Sequence, residues 1–457
     1  MHQYNPSIFR EYDIRGTFEQ NLTETDAYYI GKAYAATLKK GIVAIGFDGR
    51  ISSPALSEAL IKGITDSGLD VINIGLVPTP ALYFAVFHLN LDGGIMVTGS
   101  HNPPDQNGFK LMIGKESLHG RAIKQLSEVT EFLSGKGKVE KTDIRADYIK
   151  RVTQGLAKSS LRIGYDPANG AAGEIIDELA PKLSSNHFCI NTKIDGTFPS
   201  HHADPTVEKN LEQLKSLVLE NNLDVGFAFD GDGDRVGIVD NKGRPIWGDQ
   251  ILAILAEDVL EQRPGANVVV DVKTSKAVID RIKKLGGKPI IWKCGHSLIK
   301  AMMKELDAPL AGEMSAHIFF ADNYYGYDDG IYAAIRFLEV MKKTGKTSAE
   351  LLDALPKMHS SPEHKIVVED LRKFMLVEEL KNMIAPPPAF AADVPKISGK
   401  AIVVDGIRME HAYGWWLVRA SNTGPNIIAR YEADSESNFK KVEAELQGYL
   451  SKLGLAL

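Results

Sequence analysis

The chain has 457 residues, 44% of them hydrophobic and 25% charged, with a formal net charge of -6. That length exceeds one core and calls for two to four domains. The mild acidity, without any basic run, argues against nucleic acid or an anionic membrane surface as a partner. No run nears the roughly 18 apolar residues of a membrane helix, and MHQYNPSIFREYDIRG carries no apolar signal region. Two distant cysteines, Cys189 and Cys294, have no disulfide or metal spacing, so reduced thiols and a cytoplasmic setting are expected.

A theme recurs along the chain. GIVAIGFDGR (41–50), SLRIGYDPANG (160–170) and ANVVVDVKTS (266–275) are β-branched runs that end in Asp. Each precedes a helix-like segment: 54–67, 171–183 and 276–285. Second strands follow as LDVINIGLV, FCINTKI and KPIIWKC. A third apolar run then leads into a loop rich in functional groups: GGIMVTGSHNPP, LDVGFAFDGDGDR and APLAGEMSAH. Apolar strands alternating with helices predict parallel βαβ sheets, here in three related α/β domains. Past Leu355 the composition changes. SSPEHK (360–365) reads as a linker and APPPAF (385–390) as a loop. AIVVDGIRMEHAYGWWLVRA and NIIARYEA read as antiparallel strands, and SESNFKKVEAELQGYLSKL as a helix. The expected boundaries are 1–146, 147–246, 247–357 and a C-terminal α+β domain at 358–457.

Four loops carry chemistry. In VTGSHNPPDQNGFK, Ser100 follows a buried strand on a turn constrained by two prolines and Asn-Gly, where open α/β sheets place ligands. TGSHN is not the GxSxG elbow of a hydrolase. A phosphoryl-carrying serine and a capping serine in a turn both fit this stretch. His101 is its neighbour in sequence, which does not make it a base.

FDGDGDRVG alternates Asp230, Asp232 and Asp234 with glycines. Three carboxylates this close repel unless a cation neutralises them, and hard oxygen ligands suit Mg²⁺. An EF-hand is ruled out, because its glycine position holds Arg235 and its twelfth position Asn241. In GEMSAH, Glu313, Ser315 and His317 would share one side of an extended segment and could grip vicinal sugar hydroxyls, although a capped helix start reads equally well. In RASNTGP, Arg419, Ser421, Asn422 and Thr423 surround a Gly-Pro turn and suit a phosphate dianion better than the alternative, a plain hairpin connection.

The ordered set TGSHNP, DGDGDR, GEMS and RxSNTxP resembles the α-D-phosphohexomutase superfamily, in its bacterial phosphomannomutase/phosphoglucomutase branch, over nearly the whole chain. FREYDIRG (9–16) and GHSLIK (295–300) also look like this branch. The resemblance implies three α/β domains with mixed, mostly parallel sheets and a C-terminal α+β domain around a central cleft. It implies a phosphoserine at Ser100, with Mg²⁺ held by Ser100, Asp230, Asp232 and Asp234. Arg235 would lie near the transferring group, Glu313 and Ser315 on the sugar O3 and O4, and Arg419, Ser421, Asn422 and Thr423 on the other phosphate. Tyr12, Arg15, Lys110, Lys273, His296 and His317 would line the cleft, with Arg15, Lys110 and His317 as candidates for proton traffic; His101 joins the catalytic set.

The implied reaction interconverts hexose 6- and 1-phosphates of mannose and glucose through a 1,6-bisphosphate, with glucose 1,6-bisphosphate as activator and no obligate protein partner. A phosphoglucosamine mutase is the alternative; the Met of GEMS argues against it. A metal-dependent serine phosphatase is the reading from another class. Ala316 stands where this branch usually has glycine, so its methyl group is expected to narrow the pocket or shift His317.

Overall fold

A computed structural model describes residues 2–369, 372–385, 399–422 and 424–457. Each of the three related passages folds around the same four-strand arrangement. In the first, Ile42–Phe47 lies between Asp70–Leu76 and Gly93–Val97, all parallel, and Gln106–Ile113 returns antiparallel beside Gly93–Val97. In the second, Ser159–Asp166 is flanked in parallel by Ser184–Cys189 and Val225–Phe229, with Val236–Asp240 antiparallel outside. In the third, Asn267–Asp271 sits between Lys288–Trp292 and Leu310–Gly312, with Ile318–Phe320 antiparallel. The inner strands Gly93–Val97 and Val225–Phe229 are buried throughout, which is why they read as unbroken apolar runs. The linking helices are Ser53–Thr65, Gly173–Leu183 and Lys276–Lys284.

Two local expectations change. The second strand of the middle unit is Ser184–Cys189, earlier than FCINTKI. It lies at the edge of its sheet, so its polar Ser184 and Asn186 hide it, and the chain turns away through Asn191 at φ +54°. SSPEHK is no free linker: His359–Ser360 and His364–Val367 both pair with Asn426–Ala433. Of APPPAF, residues 386–390 lie outside the described residues.

The last unit is an antiparallel sheet built on Gly414–Ala420 and Asn426–Ala433, packed by the helices Arg372–Ile384 and Glu436–Lys452. Neighbouring residues on a strand face opposite sides, and the pair Trp415 and Trp416 shows the result. Trp416 enters this unit's own apolar core, whereas Trp415 joins Val272, Cys294 and Leu417 at the junction with the third unit. The first three units share one continuous core, in which Tyr83, Phe84, Tyr148, Phe227 and Tyr327 take part. The four units surround a cleft of about 1490 Å³. Among the described residues, no helix is long and apolar enough to cross a membrane.

Candidate active site at the strand ends

The repeated topology puts one loop of each α/β unit at the same place, just beyond the carboxyl end of its third strand. Ser100 follows Gly93–Val97, Asp230 follows Val225–Phe229, and Glu313 follows Leu310–Gly312. Loops far apart in sequence therefore meet.

Ser100 is 1% exposed and adopts φ +49°. Its Oγ donates to Asp230 Oδ2 at 2.8 Å and lies 3.1 Å from His101 Nδ1. Asp230, Asp232 and Asp234 are fully buried, and ligand atoms of all three lie within 4.8 Å of one another. Among the described residues, Oδ1 of Asp232 and Oδ1 of Asp234 have no hydrogen-bond partner. Buried, unpartnered carboxylate oxygens converging beside a hydroxyl fit a hard divalent cation. Lys110 Nζ reaches Asp232 Oδ2 at 2.6 Å and also contacts Asp234. Burial alone would lower the ammonium's pKa, but the carboxylates of Asp232 and Asp234 outweigh it and hold it above the ordinary value. Burial, then the neighbouring acids, pushes Asp230 well above the usual carboxylate range. Asp232 goes the other way: Lys110 overcomes its burial. Thr79 Oγ1 donates to the same oxygen at 2.5 Å.

Arg235 spans the second and third units. Its Nε donates to His317 Nε2 at 3.0 Å, and its N–H reaches Asp230 Oδ1 at 3.2 Å. A neutral His317 therefore carries its proton on Nδ1, which faces Asp328 Oδ2 at 3.0 Å. Neither nitrogen of the buried His296 has a hydrogen-bond partner among the described residues, though Nδ1 lies 3.8 Å from Asp328 Oδ2. Burial, with Lys300 nearby, holds its imidazole well below the ordinary range. Glu313 accepts from Gly295 N at 2.7 Å through Oε1, and its Oε2 has no hydrogen-bond partner among the described residues; burial raises its pKa.

Glu313, Ser315 and His317 all line the cleft, but not by strand alternation. Ala316 N bonds back to Glu313 O at 2.9 Å, closing a turn. Ala316 is buried, with φ +71°, and is not among the residues lining the cleft.

Arg15 is aimed by Asp13 at 2.6 Å and Asn102 at 2.8 Å. Lys273 pairs with Glu363 at 3.0 Å, and Arg419 with Asp405 at 3.0 Å. Ser421 Oγ accepts from Gly424 N at 3.2 Å, and Asn422 Nδ2 donates to the Tyr12 hydroxyl, joining the fourth unit to the first. Thr423 lies outside the described residues. Side chains from all four units thus converge on one cleft.

The chain matches the phosphoglucomutase/phosphomannomutase alpha/beta/alpha domains I, II and III over residues 6–129, 146–243 and 247–359, and the C-terminal domain over residues 363–448. It is 42% identical to a phosphomannomutase/phosphoglucomutase of Pseudomonas aeruginosa, across 99% of this chain and 97% of that one. The chain belongs to the phosphoglucomutase/phosphomannomutase family. A phosphoglucomutase of Neisseria meningitidis is 40% identical, over 97% of this chain and 96% of that one. The crystal structure of a phosphoglucomutase/phosphomannomutase family protein from Burkholderia thailandensis superposes with a TM-score of 0.90, at 36% identity and 98% coverage of both chains.

Some residues of this family member's site escape the motif reading. Asp48 accepts from Thr98 Oγ1 at 2.8 Å and Gly99 N at 3.2 Å, clipping the serine loop. Asp271 accepts from Met314 N at 3.1 Å, clipping the GEMS loop. Both are the strand-ending aspartates of the repeated theme, so the signal was present as a position rather than a motif. Lys300 closes the GHSLIK stretch, but its partner Asp328, 2.9 Å away beneath His317 and His296, left no such mark.

Proposed function

We propose that this chain is a metal-dependent phosphohexomutase that interconverts the 6-phosphates and 1-phosphates of mannose and glucose. The observation that carries this reading is the meeting of Ser100 Oγ with Asp230 at 2.8 Å, inside a buried triad of acids beside a large cleft. Asp230, Asp232, Asp234 and Ser100 would hold Mg²⁺, whose charge neutralises phosphoryl oxygens.

The chain's own groups do the rest. Arg419, Ser421 and Asn422, with Thr423 beside them, hold the phosphate that stays in place, and Glu313 and Ser315 take the sugar hydroxyls. Tyr12, Lys273 and His296 complete the walls. With the substrate fixed, one sugar hydroxyl attacks the phosphorus carried on Ser100. A bond forms to the sugar oxygen as the bond to Oγ breaks. The hydroxyl's proton passes to a cleft base, a role open to His317 once its Nε2 releases Arg235 Nε, and Ser100 Oγ, 3.1 Å from His101 Nδ1, takes up a proton as it leaves. Lys110, Arg15 and Arg235 balance charge on the transferring group. The 1,6-bisphosphate then turns over in the cleft and returns its other phosphoryl group to Ser100. Glucose 1,6-bisphosphate primes an unphosphorylated enzyme in the same way. The domain limits 1–146, 147–246, 247–357 and 358–457 assign one loop to each unit.

The test is an assay of mannose 1-phosphate and glucose 1-phosphate with glucose 1,6-bisphosphate present, with and without Mg²⁺. Both should isomerise, and only with the cation. Failure of both refutes the reading. Free phosphate released at the turnover rate makes the protein a phosphatase, and a rate favouring glucosamine phosphate makes it a phosphoglucosamine mutase.

A further inference from the structure

Arg50 lies outside all four motif loops, just beyond strand Ile42–Phe47. It is 1% exposed, yet every N–H of its guanidinium has a partner. Nη2 donates to the carbonyl oxygens of Ser100 at 2.7 Å and Asn102 at 2.6 Å. Nη1 donates to those of Pro103 at 2.5 Å and Gln106 at 2.9 Å. Nε donates to Asp48 Oδ2 at 3.2 Å. Four of the five bonds end on a single turn, residues 100–106. The ring of Phe198, from the second unit, covers the group at 5.1 Å.

Asp48, the Thr98 hydroxyl on Ser100 N at 2.8 Å and the Asn102–Gln106 side-chain bond at 2.8 Å also brace that turn, but Arg50 gathers four of its carbonyl oxygens at once. Pro103 and Pro104 donate no N–H, and Ser100 adopts a left-handed conformation (φ +49°) that a serine reaches only under constraint. Four carbonyl dipoles pointing inward repel unless a donor sits among them. Only a planar fork of five donors can serve them together; a lysine has three, all on one atom.

We propose that Arg50 is a positioning residue for phosphoryl transfer. Anchored by Asp48, it acts on the turn through four backbone carbonyls, fixing it so that Ser100 Oγ stays beside the acidic triad. This deepens the mutase reading and rests on it, because small misplacements of a reacting atom slow positioned chemistry steeply.

The experiment compares the wild type with R50K and R50Q. Glucose 1-phosphate isomerisation gives kcat and KM. Intact mass follows phosphate uptake from glucose 1,6-bisphosphate, and hydrogen exchange reports on residues 98–106. The expected result is folded variants with KM within about threefold of wild type, kcat down roughly 30-fold or more, and phosphate uptake slowed in parallel. Faster exchange should be confined to the turn. R50K with near-wild-type kcat overturns the proposal, and so does exchange raised evenly over the first unit. Loss of folding in both variants overturns it as well, since Arg50 would then hold the fold rather than the turn. A wild type without mutase activity refutes the functional reading instead; turn exchange unchanged in R50K refutes Arg50's role whatever the activity.

Discussion

Ser100 Oγ and Asp230 Oδ2 sit 2.8 Å apart although 130 positions separate them in the chain. A hydroxyl delivered by one unit and a carboxylate delivered by the next make a group neither could make alone. Replacing Ser100 by Ala should cut isomerisation by roughly three orders of magnitude or more, as loss of a covalent nucleophile does. The Tm should shift little, and intact mass should show no phosphate uptake from glucose 1,6-bisphosphate. Activity within tenfold of wild type would place the phosphoryl carrier elsewhere.

Removing the cation should stop turnover and leave the fold. Two of the three buried aspartates already face the Lys110 ammonium, so the triad is not left as bare repelling charge. Treatment with a chelator should abolish activity reversibly, with Mg²⁺ restoring it, while calorimetry finds a Tm lowered by only a few degrees. Collapse of the fold on chelation would contradict this charge balance.

Ala316 sits at φ +71° with its methyl group buried. An L-residue pays about 1–2 kcal/mol there, and glycine returns part of that gain as unfolded-chain entropy. Ala316→Gly should stabilise the protein by about 0.5–1 kcal/mol, a small rise in Tm. Because Ala316 is not among the cleft-lining residues, kcat/KM for mannose and glucose phosphates should both stay close to wild type. A changed ratio between the two sugars would show that the methyl acts on the pocket after all.

Glu432 ties the last unit to the third. It is 1% exposed and accepts from Ser275 Oγ at 2.8 Å, Lys276 N at 3.0 Å, Trp415 Nε1 at 3.0 Å and Ser360 Oγ at 2.8 Å. Glu432→Ala strands several buried donors, at about 1–3 kcal/mol each before relaxation. The Tm should fall clearly, and KM for hexose phosphate should rise as the Arg419 loop loses its seat. An unchanged KM would separate this contact from substrate binding.

Burial raises Asp329 to about 6 from the usual 3.8, against hydrogen bonds from Tyr332 N and the hydroxyls of Tyr324 and Tyr148. The folded value lies above the unfolded one, so the fold prefers the protonated acid. Its stabilising contribution is full below pH 3.8 and is lost as pH rises through 6. The Tm of Asp329→Asn minus that of wild type should therefore grow between pH 4 and pH 7. A constant difference would show that the carboxyl does not titrate in this window.

The sequence made the strands and the three strand-end loops legible because each obeys a local rule: apolar runs mark buried strands, and Pro, Gly and Asp clusters mark where the chain turns. The acids of the second loop could be read as a cation site from their spacing alone. Arg50 could not be read, because its partners lie some fifty positions away and are backbone carbonyls that any residue supplies. Asp328 was hidden for a similar reason: only the folded chain brings it to His317. Strand Ser184–Cys189 was misplaced because an edge strand need not be apolar.

The apolar interior is divided unequally. Three sheets lean on one shared core, while the final hundred residues keep their own and meet their neighbour through a narrow seam around Trp415. That closing piece can change its own interior while the polar ties through Glu432 and Arg408 hold it to its neighbour. A lineage could thus retune its grip on cargo one module at a time and leave the chemical anvil untouched.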